Sequence, residues 1–524
     1  MENLPYYIHI GNAKEVKPQE GKYLYRILEI MPGVLAWGTI IFIILGSFLW
    51  PVFMAFFIIA FDVYWFIKTI YLSLHLRVAF NQMQRNLKIN WLEKIQGPHF
   101  IITNGLTKNW QDIYHLIFLP FYKEDYFVVQ NTVESLLKSE YPKEKIILVL
   151  AAEEKAGPEA IKIGRQIERD YKDRFFRFLL TVHPVGLEKE IAGKGSNIAW
   201  AGQKAKELID ASSIDYRNIL VSALDIDTIV SSQYFARLTY VFLTASDPLR
   251  ASYQPVPFYT NNIWEAPSPA RVVAFSATFW HTIQQAREER LRTFSSHSMP
   301  FQALVDVNFW QRNMVSEDSR IFFQCFLRYD GNYRVVPLNY PVSMDANVAH
   351  SFWGTMVNVY KQQRRWGWGV ENIPYLFYGF IKNKKIPFGK KLEHGFFMVE
   401  GFWSWSTNAL IVFILGWLPV VVGGPIFNQT VLSLNLPLIT RYIMTAAMVG
   451  VISSAVLSII ILPPRPPQYG RFRYLIMVLQ WILMPVTMIL LGALPGFDAQ
   501  TRLMFGKYMG FWVTPKIRSN SKTS

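Results

Sequence analysis

The chain has 524 residues, of which 51% are hydrophobic, 16% aromatic and only 17% charged. Soluble proteins typically carry about 25% charged residues, so this composition disfavours an ordinary soluble enzyme, and so apolar a chain cannot be mainly disordered. The formal net charge of +15 suits an anionic membrane face, nucleic acid or a phosphorylated substrate, and the single cysteine excludes a disulfide framework and a cysteine-built zinc site.

The first apolar run predicts a hairpin of two transmembrane helices over residues 31–76, after a segment over residues 1–30. Residues 30–61 contain no Asp, Glu, Lys or Arg, a span needs about 20 apolar residues, and Pro51 marks the turn. The run begins too late and continues too long for a cleavable signal. Basic residues flank the hairpin and are missing from its turn: Lys14, Lys17, Lys22, Arg26, Lys68, Arg77, Arg85 and Lys88. The positive-inside rule therefore predicts that the N-terminus and the following domain are cytoplasmic.

Residues 78–385 have the pattern of an α/β domain. Short β-rich runs (115–120, 145–151, 175–182 and 218–223) alternate with amphipathic helical stretches (127–139, 158–172 and 198–208). This alternation predicts a parallel sheet covered by helices.

Two acidic motifs follow predicted elements of this domain. Asp225 and Asp227 come just after a strand, where carboxylates can bind a divalent cation and a sugar diphosphate; the alternative is a solvated turn. Glu317 and Asp318 precede a predicted helix, where they either stabilise the positive helix end or supply a general base that deprotonates a hydroxyl.

Two basic motifs complete the domain. Gly193 and Lys194 open a helix and form an anion site in principle, although the full Walker pattern is missing. Gln362, Arg365 and Trp366 supply an amide, a guanidinium and an indole that can bind a sugar and a diphosphate; a membrane-proximal helix with an interfacial tryptophan is the other interpretation, and both can hold together.

The C-terminal part predicts about three transmembrane helices within residues 396–497, followed by a basic tail over 498–524. Residues 401–440, 442–464 and 474–497 contain no charged side chain. Two N-terminal helices and three C-terminal ones place the tail outside the cell, whereas its basic residues predict that it is cytoplasmic. Either one run is re-entrant or the long run 401–440 hides another crossing; Pro485 and Pro495 make the last run a candidate for a broken helix.

In chain order the motifs are residues 120–124 (PFYKE), Tyr141-Pro142, Gly193-Lys194, Asp225-x-Asp227, Glu317-Asp318 and Gln362-x-x-Arg365-Trp366. This series resembles the membrane-integrated family 2 glycosyltransferases, which include bacterial cellulose, chitin and hyaluronan synthases. The resemblance implies a GT-A fold, a Rossmann-like nucleotide-diphospho-sugar transferase domain, flanked by N- and C-terminal transmembrane helices. It also implies a nucleotide-sugar donor, Mg²⁺ or Mn²⁺, and inversion at the anomeric carbon.

The resemblance also implies roles for individual residues. Asp227 resembles the metal-binding residue, Asp225 the neighbour of the donor diphosphate and ribose, and Asp318 the catalytic base. The remaining roles are nucleotide-sugar binding by Lys194 and Glu124, and acceptor or diphosphate binding by Gln362, Arg365 and Trp366. The family usually has Asp after the second strand, where this chain offers Glu153 or Glu154, one methylene longer, and Lys123 stands where Asn is usual.

The tail carries one more match. Phe511, Thr514 and Lys516 lie in a sequence that resembles the F-x-V-T-x-K gating loop of bacterial cellulose synthase; the alternative is a basic tail without a fixed role.

The predicted function is sugar transfer from a nucleotide diphosphate to a glycan by a multi-pass protein of a bacterial inner or plasma membrane. The partners are the donor, a glycan or lipid-linked acceptor and the bilayer, with no nucleic acid. Q-x-x-R-W favours polymer synthesis with export. The alternatives are a polyprenyl-phosphate or other lipid glycosyltransferase, a transporter with a cytoplasmic regulatory domain, and a non-catalytic scaffold, which the altered Glu153–Glu154 site would suit.

Overall fold

The structure, a computed structural model, describes residues 4–103, 105–107 and 109–513. The strands are β1 Tyr114–Phe121, β2 Ile146–Glu153, β3 Arg177–His183, β4 Ile219–Ala223, β5 Ile229–Val230, β6 Ala251–Tyr259, β7 Ser298–Pro300 and β8 Arg334–Met344. They form one mixed sheet in the order β3-β2-β1-β4-β7-β6-β8-β5.

The helices surround this sheet or extend away from it. Those up to the end of the α/β domain are α1 Lys22–Leu49, α2 Pro51–Leu87, α3 Trp91–Gln96, α4 Tyr126–Leu137, α5 Pro158–Tyr171, α6 Lys194–Ser212, α7 Tyr234–Thr244, α8 Ser268–Gln285, α9 Phe301–Asp306, α10 Glu317–Arg328, α11 Phe352–Gly367 and α12 Asn372–Lys382. The later ones are α13 Phe388–Phe413, α14 Leu418–Val422, α15 Gly424–Asn428, α16 Val431–Ile460, α17 Phe472–Leu479, α18 Met484–Met488 and α19 Leu494–Met504.

The first half of the sheet is parallel. Strands β3, β2, β1 and β4 pair in parallel, and α4, α5 and α6 are the crossovers between them. Every residue of β2 is buried, which explains its nearly continuous apolar sequence. The order reverses between β1 and β4, so the carboxyl ends of these two strands flank the point where open α/β sheets bind ligands. The predicted fold class, an α/β domain between apolar helices, is confirmed.

The second half of the sheet brings two more strand ends to the same region. Strand β7 pairs antiparallel with β4, and β6 pairs parallel with β8, with Tyr259 opposite Met344. The carboxyl ends of β6 and β8 are therefore neighbours, and the segments after them lie side by side.

Four helices in the described part of the chain are long and apolar enough to cross a membrane, by length and composition. They are Lys22–Leu49, Pro51–Leu87, Val431–Ile460 and Phe472–Met504, the last of which includes 3₁₀ and π-helical turns. A fifth candidate is the pair Phe388–Phe413 and Leu415–Val422, which is bent by 46°. The sharp bend thus lies in the run 401–440.

Contacts along α2 give the directions of its neighbours. Its residues Asp62 and Thr69 meet Thr440 and Gly450 of α16, so residue numbers rise together and the two helices are parallel. The bent pair runs the other way, because Glu400 bonds Lys68 at 2.5 Å, Gly416 packs on Ile58 and Gly423 packs on Pro51.

Candidate functional site

The acidic turn after β4 lies at the reversal of strand order. The Thr228 N–H donates to the Asp225 carbonyl oxygen at 2.9 Å, which closes the turn. The Asp227 side chain is fully buried, whereas the Asp225 side chain is 26% exposed. The two carboxylates thus differ in exposure, and Asp225 is the more accessible of the two.

Lys194 joins two of the predicted site residues. Its Nζ lies 2.6 Å from Asp225 Oδ1 and 2.9 and 2.8 Å from the two oxygens of Asp318. Burial works to lower the pKa of Lys194, but the charges of Asp225 and Asp318 outweigh it and raise that pKa, so the ammonium stays charged. The first residue of α6 therefore holds the acidic turn and the start of α10 together.

The start of α10 separates its two neighbouring carboxyl groups. Asp318 faces Lys194, while Glu317 is buried against α6, where a Cβ on Gly195 would lie 3.0 Å from Glu317 Cβ. Burial, and then the charge of Asp318, raise the pKa of Glu317, which favours its neutral form. Ser316 does not cap the helix with its side chain; its hydroxyl donates to Glu371 Oε1 at 2.7 Å.

The loop before β7 supplies two further contacts that the sequence did not indicate. The Ser295 hydroxyl donates to Asp225 Oδ2 at 2.7 Å, and His297 Nδ1 lies 3.7 Å from Asp318 Oδ1. Burial lowers the pKa of His297, so its ring is neutral. Nothing local in the sequence marks this loop, because the antiparallel pairing of β7 with β4 is what brings it to the site.

Residues after β6 and β8 complete the surroundings of Asp227. The Asp345 N–H donates to Asp227 Oδ2 at 2.9 Å. The Asn261 side chain donates to the Asp227 carbonyl oxygen at 3.0 Å and to Asp345 Oδ1 at 3.1 Å. These residues could have been found by the rule that drew attention to Asp225, because they too are polar side chains directly after strands.

The donor set at the acidic turn fits a divalent cation that shares its coordination with a phosphate. Across residues 4–103, 105–107 and 109–513, no group of three or more His, Cys, Asp or Glu side chains is arranged to hold a metal by itself. Mg²⁺ commonly takes one or two protein carboxylates and completes its shell with water and substrate phosphates. Asp225 and Asp227 match that smaller set.

The candidate nucleotide-binding glutamates lie in different places. Glu153 ends β2 and is 6% exposed; burial, and then the nearby charge of Glu124, raise its pKa to about 7. Glu154 is exposed and accepts a hydrogen bond from the Val185 N–H at 2.8 Å. Glu124 accepts from the Tyr122 N–H at 2.7 Å within its own turn. Of these three glutamates, Glu153 is therefore the one whose carboxyl group is buried at the end of a strand.

The raised pKa of Glu153 predicts a pH-dependent stability. Its ordinary value is 4.5, so between pH 4.5 and about 7 the folded protein holds a proton that the unfolded chain releases, and stability falls as pH rises. Glu153→Gln removes this titration and should stabilise the protein at pH 8 by up to about 3 kcal/mol, but little at pH 5. Thermal unfolding followed by tryptophan fluorescence measures the difference. Glu154→Gln is the exposed control, and an equal gain for Glu153→Gln at both pH values would contradict this assignment.

Helix α11 brings the remaining predicted residues to the same side of the sheet. The Trp366 ring lies 5.9 Å from the ring of Tyr259, at the end of β6. Arg365 Cζ lies 5.2 Å from the centre of the Phe511 ring. Phe511 also packs on Gly193, where an added Cβ would lie 2.5 Å from Phe511 Cγ. The tail thus bridges α11 and the residue before Lys194.

Phe511 is the part of the predicted gating sequence that can be located. Thr514 and Lys516 lie outside the described residues, and their roles stay predictions. Gln362, on the same helix as Arg365, borders a cavity that it shares with Trp366.

No protein-family model matches the sequence, and no curated protein matches it either. Among solved structures, a mannosyltransferase, PcManGT from Pyrobaculum calidifontis, in complex with GDP-Man and Mn²⁺ is similar at 13% identity and a TM-score of 0.41, covering 77% of this chain and 99% of that one. S. aureus TarS 1–349 has 12% identity and a TM-score of 0.34, with 66% and 90% covered. GalNAc-T7 with UDP, GalNAc and Mn²⁺ has 12% identity and a TM-score of 0.34, with 55% and 58% covered. Similarity at this level does not assign a family, substrate or cofactor to this chain.

Proposed function

We propose that the protein is an inverting, metal-dependent membrane glycosyltransferase that moves a sugar from a nucleotide-diphosphate donor to a glycan. The observation that carries the proposal is the junction at Lys194, whose ammonium lies within 2.9 Å of both Asp225 and Asp318. An acidic turn that would hold the metal ion for the diphosphate and a carboxylate that would act as a base thereby share one ammonium group at the ligand-binding end of the sheet.

Donor binding would use the carboxyl ends of the parallel strands. Glu153, the last residue of β2, would contact the nucleobase, and Asp225 and Asp227 would hold Mg²⁺ or Mn²⁺ at the diphosphate. The bound cation would neutralise charge on the departing nucleotide. The diphosphate would also compete for Lys194, and drawing the ammonium away from Asp318 leaves that carboxylate able to accept a proton.

Transfer then needs a base on the side of the acceptor. Asp318 would take the proton from an acceptor hydroxyl as the oxygen forms a bond to C1 of the sugar. The bond from C1 to the nucleotide oxygen breaks on the opposite face, which inverts the configuration at C1. Arg365 would stabilise the diphosphate charge, and Trp366 would stack on the acceptor sugar.

Product analysis tests this proposal and separates it from lipid glycosylation. Purified protein, donor sugar labelled with ¹⁴C and membrane lipid are incubated together and extracted with chloroform. Label in a water-soluble glycan supports the proposal, whereas label in a chloroform-soluble sugar phosphate supports a polyprenyl-phosphate transferase and contradicts the proposed acceptor.

The helix contacts support a topology of four crossings with both ends of the chain on the cytoplasmic side. α1, α2, the bent pair α13–α14 and α16 alternate in direction, so each would cross. The segment Phe472–Met504 would not, because both of its ends contact the α/β domain: Gln480 with Arg271 at 2.6 Å and Asp498 with Arg364 at 2.9 Å. A re-entrant or interfacial segment here would reconcile the number of apolar helices with a cytoplasmic basic tail.

This topology predicts the labelling of single cysteines in a Cys325→Ser background. Gln429, Gly470 and Gly510 are exposed positions, and both glycines have room for a side chain. A membrane-impermeant maleimide should label Gln429→Cys in intact cells, but Gly470→Cys and Gly510→Cys only after permeabilisation. Labelling of Gly510→Cys in intact cells would mean that Phe472–Met504 crosses the membrane.

A further inference from the structure

A small cavity lies between the carboxyl ends of β6 and β8 and the helices α8 and α11. Its volume is about 10 Å³, the room that one water-sized group needs. The lining includes Tyr259, Asp345, Asn347, Gln362 and Trp366. The cavity adjoins the acidic turn, because Asp345 is the residue whose N–H donates to Asp227.

The side chain of Asn347 is the unusual part of this lining. It is 7% exposed, and neither its amide oxygen nor its amide nitrogen has a hydrogen-bond partner within the part of the chain that the structure describes. A buried polar group without a hydrogen-bond partner destabilises the folded state, because its bonds to water are lost and not replaced. An amide kept buried at that cost beside a cavity points to a ligand group that both donates and accepts.

The nearby Asn262 is a buried asparagine with a structural role, and it serves as a comparison for Asn347. Asn262 is 5% exposed, donates to the Ala346 carbonyl oxygen at 3.1 Å and accepts from the Ala346 N–H at 2.7 Å. Its two bonds join the segment after β6 to the segment after β8. Asn347, one residue beyond Ala346, makes no such bonds. A role in joining the two segments therefore does not explain why its side chain is buried.

We propose that Asn347 binds one hydroxyl group of the acceptor sugar and so selects which acceptors are used. This inference rests on the proposed transferase function. A hydroxyl both donates and accepts one hydrogen bond at an amide, and its size matches the cavity. The Tyr259 and Trp366 rings, whose centres are 5.9 Å apart, pack against each other and form part of the apolar lining of this cavity. Trp366, which would stack on the acceptor sugar, lines the same cavity as Asn347.

The test combines removal of the Asn347 side chain with removal of single hydroxyl groups from the acceptor sugar. Wild-type protein, Asn347→Ala and Asn262→Ala are supplied with a donor that the wild type cleaves. The acceptors are methyl glycosides of glucose, galactose, mannose and N-acetylglucosamine, and the monodeoxy analogues of each. Acceptor-stimulated nucleotide release gives kcat/KM for every pair, and thermal unfolding is measured in parallel.

Asn347→Ala should lower kcat/KM about tenfold for the preferred methyl glycoside, and not at all for the one monodeoxy analogue that lacks the contacted hydroxyl. It should not lower the unfolding temperature, whereas Asn262→Ala should lower it without this coupling. An equal loss with every deoxy analogue, or no stimulation of the wild type by any methyl glycoside, would overturn the role of Asn347. Neither result would affect donor cleavage in water; if the wild type cleaves no donor at all, the proposed function itself fails.

Discussion

Asp318→Asn is expected to lower sugar transfer by about 10²–10⁴-fold, the usual contribution of a positioned general base. The amide cannot take the proton from the acceptor hydroxyl, but it is the same size as the carboxylate. Asp225 still lies 2.6 Å from Lys194, so the contact that holds the acidic turn to α6 persists. The variant should therefore bind nucleoside diphosphate with Mn²⁺ as the wild type does. Released nucleotide measures transfer, and calorimetry measures binding.

Glu317→Gln is the matched control for that substitution. Glu317 is adjacent in sequence, 2% exposed and turned towards α6, and its raised pKa favours the neutral acid, which Gln resembles. Its transfer rate should stay within a few-fold of the wild type. The assignment of the base is wrong if Asp318→Asn transfers sugar at the wild-type rate, or if Glu317→Gln loses activity and Asp318→Asn does not.

Asp227→Asn should raise the Mn²⁺ concentration for half-maximal nucleotide release by at least about 100-fold. The amide keeps an oxygen for the Asp345 N–H, now 2.9 Å from Oδ2, so the turn is preserved while one negative charge is removed. Mn²⁺ titration of donor cleavage provides the measurement. Asp210→Asn, which removes an exposed carboxylate bonded to Lys206, is the control and should leave the titration unchanged.

A wild-type Mn²⁺ response in Asp227→Asn would contradict the proposed metal site. Loss of activity without a change in the Mn²⁺ requirement would also contradict it, since that result assigns Asp227 a structural role through Asp345 alone.

The local part of the site could be predicted from the sequence because its signals are local. The run 218–223 contains strand β4, and Asp225 and Asp227 follow that strand closely. Strand pattern and position are therefore enough to predict an acidic turn at the ligand-binding edge. Helix α11 likewise carries Gln362, Arg365 and Trp366 on one amphipathic element.

The rest depends on long-range pairing that no local pattern encodes. The sequence predicts that Lys194 belongs to an anion site, whereas in the structure its ammonium group bonds Asp318, 124 residues away. Ser295 reaches Asp225 only because β7 joins the sheet beside β4. The segment Phe472–Met504 has the composition of a span, and composition does not distinguish a helix that crosses from one that returns to the side from which it entered.

Nucleotide release from a panel of UDP- and GDP-sugars tests the proposed transferase activity most directly. Purified wild type and Asp318→Asn are each given every donor with Mn²⁺ or Mg²⁺. The expected result is release from at least one donor by the wild type, dependent on the metal and lost in Asp318→Asn. Cleavage of none of the donors by the wild type, or equal release by the two proteins, would contradict the proposal.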